Sequence, residues 1–215
     1  MYQLDTTLAS KADTIGAFIN DTGKYVGKFI RAEKLVSANK GTHGIGFTFQ
    51  ADDNRECRFD IWTMRENNEP LQGLNQINAL MACLKVRALT ESVRNVKKWH
   101  DGSEQVMAAT CFSELMDKPI GLLLRAEEYE KMQDGYATGE YAWRMGLFAI
   151  FQAGTELMAS EILSRKTKPE QLGKVIDLLV DKPLKKKSGQ TSNTGGQSNR
   201  PAAAPDFMDD DLPPF

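Results

Sequence analysis

The sequence predicts a mainly β fold with helical additions, on three observations. Gly44 to Gln50 alternates cleanly, with Ile45, Phe47 and Phe49 on one face and Gly46, Thr48 and Gln50 on the other. Arg55 to Arg65 alternates again, with Cys57, Phe59 and Ile61 opposed to Arg58, Asp60, Trp62 and Met64. Period two is the mark of a half-buried strand. Turn chemistry brackets both runs: Asn39, Lys40 and Gly41 before the first, Asp52-Asp53-Asn54 between them. Short turns between alternating runs give an antiparallel meander.

The remaining elements follow in order. Residues 1–21 are polar with weak helical periodicity and read as an N-terminal arm. Lys24 to Val36 mixes β-branched and aromatic residues and makes the first strand of the meander. Leu74, Ile77, Leu80, Met81 and Leu84 fall at helical spacing, which predicts a helix from about Leu74 to Leu89. Lys85 to Trp99 carries five basic residues and one acid; if helical, it places Arg87, Arg94 and Lys98 on one face. Val106 to Met116 reads as a short helix, Ile120 to Leu124 as a strand, and Glu130 to Glu140 as a loop around Gly135, Tyr136 and Gly139. Tyr141 to Phe151 is the last strand, and Thr155 to Arg165 and Pro169 to Val180 are two closing helices, with Pro169 suited to a first turn. Three strands, a helical insert and two strands is the order of a five-stranded antiparallel oligonucleotide-binding barrel, or OB fold. An antiparallel sandwich is the alternative.

Composition bounds the chain further. At 215 residues with 41% hydrophobic content it suits one globular domain with a tail, or two small domains. No apolar run reaches the ~18 residues needed to cross a bilayer, and residues 1–20 lack a signal-peptide core. An intracellular protein is expected, in the host bacterium's cytoplasm if viral, without membrane partners. Cys57, Cys83 and Cys111 are odd in number and lack CxxC spacing; with His43 and His100 they form no metal pattern, so buried reduced thiols and no cofactor are expected.

From Lys185 to Pro205 large apolar residues vanish and Lys, Ser, Gly, Gln, Asn and Ala-Pro dominate, the composition of a flexible linker. Such a linker has a root-mean-square reach of roughly 25 Å. Residues 206–215 follow, Asp206-Phe207-Met208-Asp209-Asp210-Asp211-Leu212-Pro213-Pro214-Phe215. This disordered acidic tail holds too little apolar surface to fold alone. Its aromatic rings, however, suit capture by a partner whose pocket takes Phe215 and whose cations take the carboxylates. Without its four aspartates the chain has 27 basic against 25 acidic residues, a body of +2 beside a tail of −4.

This ending resembles the acidic tip of bacterial and phage single-stranded DNA-binding proteins, roughly Asp-Phe-Asp-Asp-Asp-Ile-Pro-Phe. Asp206, Phe207, Asp209, Asp210, Asp211, Leu212, Pro213 and Phe215 match it; Met208 and Pro214 depart. The body is also similar to phage members that use the barrel, most closely over Gly44 to Phe49. The resemblance implies a tip that recruits replication or recombination proteins and folds back over the DNA site, so weak duplex binding is expected once the tail is absent.

Single-strand binders need cations along a groove for phosphates and rings on which bases stack. The barrel's binding face lies over strands two and three and the loops one-two and four-five. Domain 22–184 therefore offers Lys40, Arg58, Trp62, Arg65 and Tyr136, with Arg31 and Lys34 on the neighbouring strand and Arg87, Arg94 and Lys98 in the insert. Trp62 either stacks on a base or is covered by the helical insert. Phe47, Phe49 and Phe59 read as core. No phosphate loop, GxSxG or HExxH is present, so a non-enzyme is expected. The expected function is coating of single-stranded DNA in phage replication, recombination or repair. A non-DNA-binding adaptor is the alternative, followed by a strand-annealing protein or nuclease.

Overall fold

One long strand, β1 (Gly23–Val36), is the hub of the molecule in the computed structural model, which describes residues 18–100, 103–133 and 136–184, less the side chains of 99, 100, 103 and 104. Most of the expected arm, the linker 185–205 and the tip 206–215 with all its partner-binding residues lie outside the described residues. β1 pairs antiparallel with β2 (His43–Ala51), and β2 with β3 (Glu56–Met64). The expected meander is present. The other edge of β1 is shared. Its first half, Gly23 to Lys28, pairs with β6 (Pro119–Gln133), and Glu33 further along meets Cys111 of β5 (Ser103–Phe112). β5 pairs with β4 (Glu91–His100), and β6 with β7 (Tyr136–Phe151). The result is one seven-stranded antiparallel sheet that branches at β1.

Three expectations are corrected here. Where helices are expected over 85–99 and 106–116, Glu91–His100 and Ser103–Phe112 form a hairpin of strands, and 85–90 is a connection. Helix α1 (Gln72–Leu84) stops at Lys85, which takes a left-handed φ of 56°. The C-cap conformation ends the helix there, and β-branched Val86, Val93, Val96 and Val106 beyond it favour a pleated strand. Arg94 and Lys98 are therefore strand residues, and Arg87 sits in the connection ahead of them. The expected loop 130–140 is likewise the far end of the β6–β7 hairpin, whose pairing runs out to Gln133↔Tyr136. Only Ser113–Leu115 keeps a helical turn, a 3-10 one.

The core is aromatic. Phe29, Phe47, Phe49 and Phe59 meet on the inner face, with ring centroids 4.7 Å apart for Phe29–Phe47 and 5.7 Å for Phe47–Phe59. Buried Ile77, Leu80, Cys83 and Leu84 seat α1 against this cluster. At its first turn α1 lies so near β3 that a Cβ on Gly73 would stand 2.1 Å from the Trp62 carbonyl oxygen. Among the described residues no ladder joins β3 to β7, and α1 touches both of these strands. Cys57, Cys83 and Cys111 are buried free thiols, and burial pushes Cys57 and Cys83 up to about 12.

Two short helices, α2 (Ala159–Leu163) and α3 (Gln171–Ile176), cap Leu123 and Phe151 with Leu172. Glu161 fastens them together. Its buried carboxylate accepts the amides of Met158 at 2.9 Å, Glu170 at 2.7 Å and Gln171 at 3.0 Å. The chain then runs beside β6, where Lys182 N–H donates to Ala126 O at 2.8 Å and Leu184 N–H to the Glu128 carboxylate at 3.0 Å.

Candidate nucleic-acid interface

A β-bulge builds the site. Phe29 faces Phe49 and Arg31 faces Thr48, so Ile30 is an extra residue on β1. Adjacent residues Phe49 and Thr48 point to opposite sides, so the bulge turns Phe29 inward and Arg31 outward although they are two apart. Bulges re-aim side chains in this way. The outer face then carries three successive rungs across β1, β2 and β3: Arg31–Thr48–Arg58, Glu33–Gly46–Asp60 and Leu35–Gly44–Trp62. The glycines leave room for large neighbours. A Cβ on Gly44 would stand 2.8 Å from a Trp62 ring carbon, and one on Gly46 3.2 Å from Arg31 Nη2.

The β4–β5 hairpin stands beside this face. Asn95, Val96 and Lys97 wall a cleft of about 290 Å³ whose floor includes Arg31, Thr48, Gln50 and Arg58. Three cations thus line it against one acid, Glu56. The wall is tied down by Lys98, whose ammonium bonds to the Glu33 carboxylate; Arg31 Nη1 lies 3.7 Å from the same carboxylate. Crowding by protein raises the Asp60 carboxyl pKa although the residue as a whole is exposed; Arg31 opposes the shift, Glu33 adds to it and Arg144 of β7 opposes it. Arg144 can act there only because β7 passes close to β3.

A second cleft of about 390 Å³ lies at the end of β3, lined by Lys40, Thr42, Arg65, Glu66 and Asn67. Arg65 also pairs with Glu69 at 3.7 Å. The outward residues of β3, Arg58, Asp60 and Trp62, connect the two clefts. From Arg58 to Arg65 the track is roughly 23 Å at ~3.3 Å per residue.

The structure thus brings Arg31 and Arg58 together in one cleft and Lys40 and Arg65 in the other, with Trp62 between. Trp62 is half-buried, and its indole nitrogen is enclosed without a hydrogen-bond partner among the described residues. Lys34 falls on the opposite face, in the rung with Ile45 and Ile61, and its ammonium is 2.5 Å from Glu91. Arg94 pairs with Asp117 at 3.3 Å away from the cleft, and Lys98 serves the wall. Arg87 is exposed in the α1–β4 connection. Tyr136, 79% exposed, stands at the far end of the β6–β7 hairpin.

Asn95 and Lys97 also line the first cleft, and two exposed rings lie outside it on the β6–β7 hairpin. Asn95 and Lys97 come from the strand that the sequence reading made a helix. Tyr141 and Trp143, 40% and 52% exposed, continue the face of Met145 and Leu147 beyond the end of the core, opposite Glu130 and Glu128. Their period-two spacing with Met145 and Leu147 is visible in the sequence; their exposure depends on the hairpin outrunning the core.

Among the described residues no group of three His, Cys, Asp or Glu side chains is placed to hold a metal ion, and no helix is long and apolar enough to cross a membrane. No protein-family model matches the chain, and no curated protein matches it significantly.

Proposed function

We propose that this chain binds single-stranded DNA without catalysis, coating strands exposed during phage replication, recombination or repair. The observation that carries the reading is the cationic cleft of Arg31, Arg58 and Lys97 on the outer face of β1–β3. The connections support it. β1, β2 and β3 in succession, a helix, then β6 and β7 with β6 returning to β1, follow the path of an OB barrel, with β4–β5 as an added hairpin. Strands two and three of that barrel are where single strands bind.

The arrangement gives the strand two sides. Phosphates suit the cleft, where cations outnumber acids. Bases suit the β6–β7 hairpin, where Tyr141 and Trp143 offer rings while Glu128 and Glu130 opposite them repel phosphate. Neither contact reads base edges, so binding is largely independent of sequence. The tip 206–215, at the end of its linker, competes for the cations and recruits replication or recombination proteins.

A gel-shift competition tests this. A labelled thymidine oligonucleotide should be displaced by unlabelled single strand and hardly by duplex of equal length. Equal displacement by both would remove the single-strand assignment, and shortened product with magnesium would make the protein a nuclease.

A further inference from the structure

The Arg31–Thr48 rung holds two buried polar atoms with no hydrogen-bond partner among the described residues, Arg31 Nε and Thr48 Oγ1. Thr48 is only 3% exposed, and both residues line the same cleft. Enclosed donors without partners are uncommon and destabilising, because the group loses water and gains nothing. Here the two belong to residues directly opposite each other on β1 and β2: one is an N–H carrying positive charge, the other a hydroxyl free to turn. That pair is the donor set of an oxyanion seat, since a guanidinium N–H and a neutral hydroxyl can each bond one phosphate oxygen. Glu33 does not satisfy Arg31: it lies 3.7 Å from Nη1, beyond hydrogen-bond length, and is itself engaged by Lys98.

We propose that Arg31 Nε and Thr48 Oγ1 form a dedicated seat for one phosphate group, and that this seat fixes the register of the strand on the protein. The inference rests on the single-strand reading above. What surrounds the two atoms in the cleft includes the long side chains of Gln50, Arg58 and Lys97 rather than backbone alone. An oxyanion attracts the two cations among these, so its arrival opens the way to the seat. A phosphate bonded by a single fixed pair of donors anchors the chain, whereas exposed lysines only attract it.

The test uses substitutions whose effects on stability and binding have opposite signs. Thr48→Val removes an unsatisfied hydroxyl and keeps the side-chain shape. The full-length variant should melt about 2–4 °C higher and bind a thymidine oligonucleotide about tenfold more weakly. Thr48→Ser should stay near wild type in affinity, and Arg31→Lys, which keeps the charge and loses Nε, should lose about tenfold. Unchanged oligonucleotide affinity in Thr48→Val, or a lower melting temperature, overturns the seat. Inorganic phosphate supplies the second arm. If wild type ignores the oligonucleotide yet is stabilised by phosphate, and Thr48→Val is not, the seat stands as a free-phosphate site and the single-strand reading falls. If neither ligand acts on wild type, both fall.

Discussion

Phe29 and Arg31 stand two residues apart on one strand and face opposite sides of the sheet. Phe29 packs against Phe47 in the core, and Arg31 lies with Thr48 and Arg58 on the outer face. The bulge at Ile30 permits this, and the site depends on it. Deleting Ile30 forces a choice: bury the guanidinium or expose the aromatic ring. A one-residue slip moves a strand's whole apolar set to the wrong side. The deletion should cost about 3–5 kcal/mol, the range for losing a core phenylalanine. Denaturant titration measures it; a loss below about 1 kcal/mol would mean that the bulge is an accommodation rather than a requirement.

Trp143→Ala and Tyr136→Ala should each weaken single-strand binding by ~1–3 kcal/mol if bases stack on their rings. Both are exposed, so melting temperature should scarcely change. Trp62→Ala should lower affinity and stability together, because its ring also packs over Gly44. Retained affinity in a folded Trp143→Ala protein would remove the hairpin from the binding surface.

Each phosphate contact that is lost should lower the slope of log affinity against log salt by about 0.7 for single strands. Arg58→Gln should show that drop. Lys34→Gln should not, because Lys34 lies on the opposite face beside Glu91. Equal slopes for the two variants would mean that the cleft is not where phosphates bind.

Glu161 makes the closing helices sensitive to acid. Its carboxyl pKa is held below the usual glutamate value, first by the Met158 amide and then by that of Glu170, against burial. A depressed folded pKa contributes stability that is present above the unfolded value of about 4.3 and is lost as pH falls through the folded one. Glu161→Gln should destabilise the protein at neutral pH and flatten that acid-side loss. Parallel pH profiles of melting temperature for the two proteins would assign the acid sensitivity elsewhere.

Deleting residues 206–215 should tighten DNA binding at low salt, because a tethered −4 tip competes with phosphate at high effective concentration. The difference should fade as salt shortens the screening length. Phe215→Ala keeps every carboxylate, so DNA affinity should hold while partner capture is lost.

The meander was legible because Gly44–Gln50 and Arg55–Arg65 alternate without interruption between clear turns. The bulge was not, since no residue near Ile30 signals it; Phe29 and Ala32, both buried and three apart, show it only after burial is known. The β4–β5 hairpin is hidden in the sequence because Arg87, Arg94 and Lys98 would share one face of a helix there, which makes the run pass for part of a helical insert. Lys97 counts among the five basic residues of that run but falls off the helical face, which singles out Arg94 and Lys98, residues that serve ion pairs. Tyr141 and Trp143 read in the sequence only as part of the last strand's apolar run, because nothing local marks where a core ends.

Whether the cleft binds single-stranded DNA by its charge is decided by a fluorescence-anisotropy titration of a labelled thymidine oligonucleotide at low and moderate salt. Saturable binding is expected at low salt, falling linearly with log salt in the wild type, and weakening with a shallower slope when Arg31 and Arg58 are both replaced by glutamine. No binding at low salt, or an affinity that salt and the double substitution leave unchanged, would contradict it.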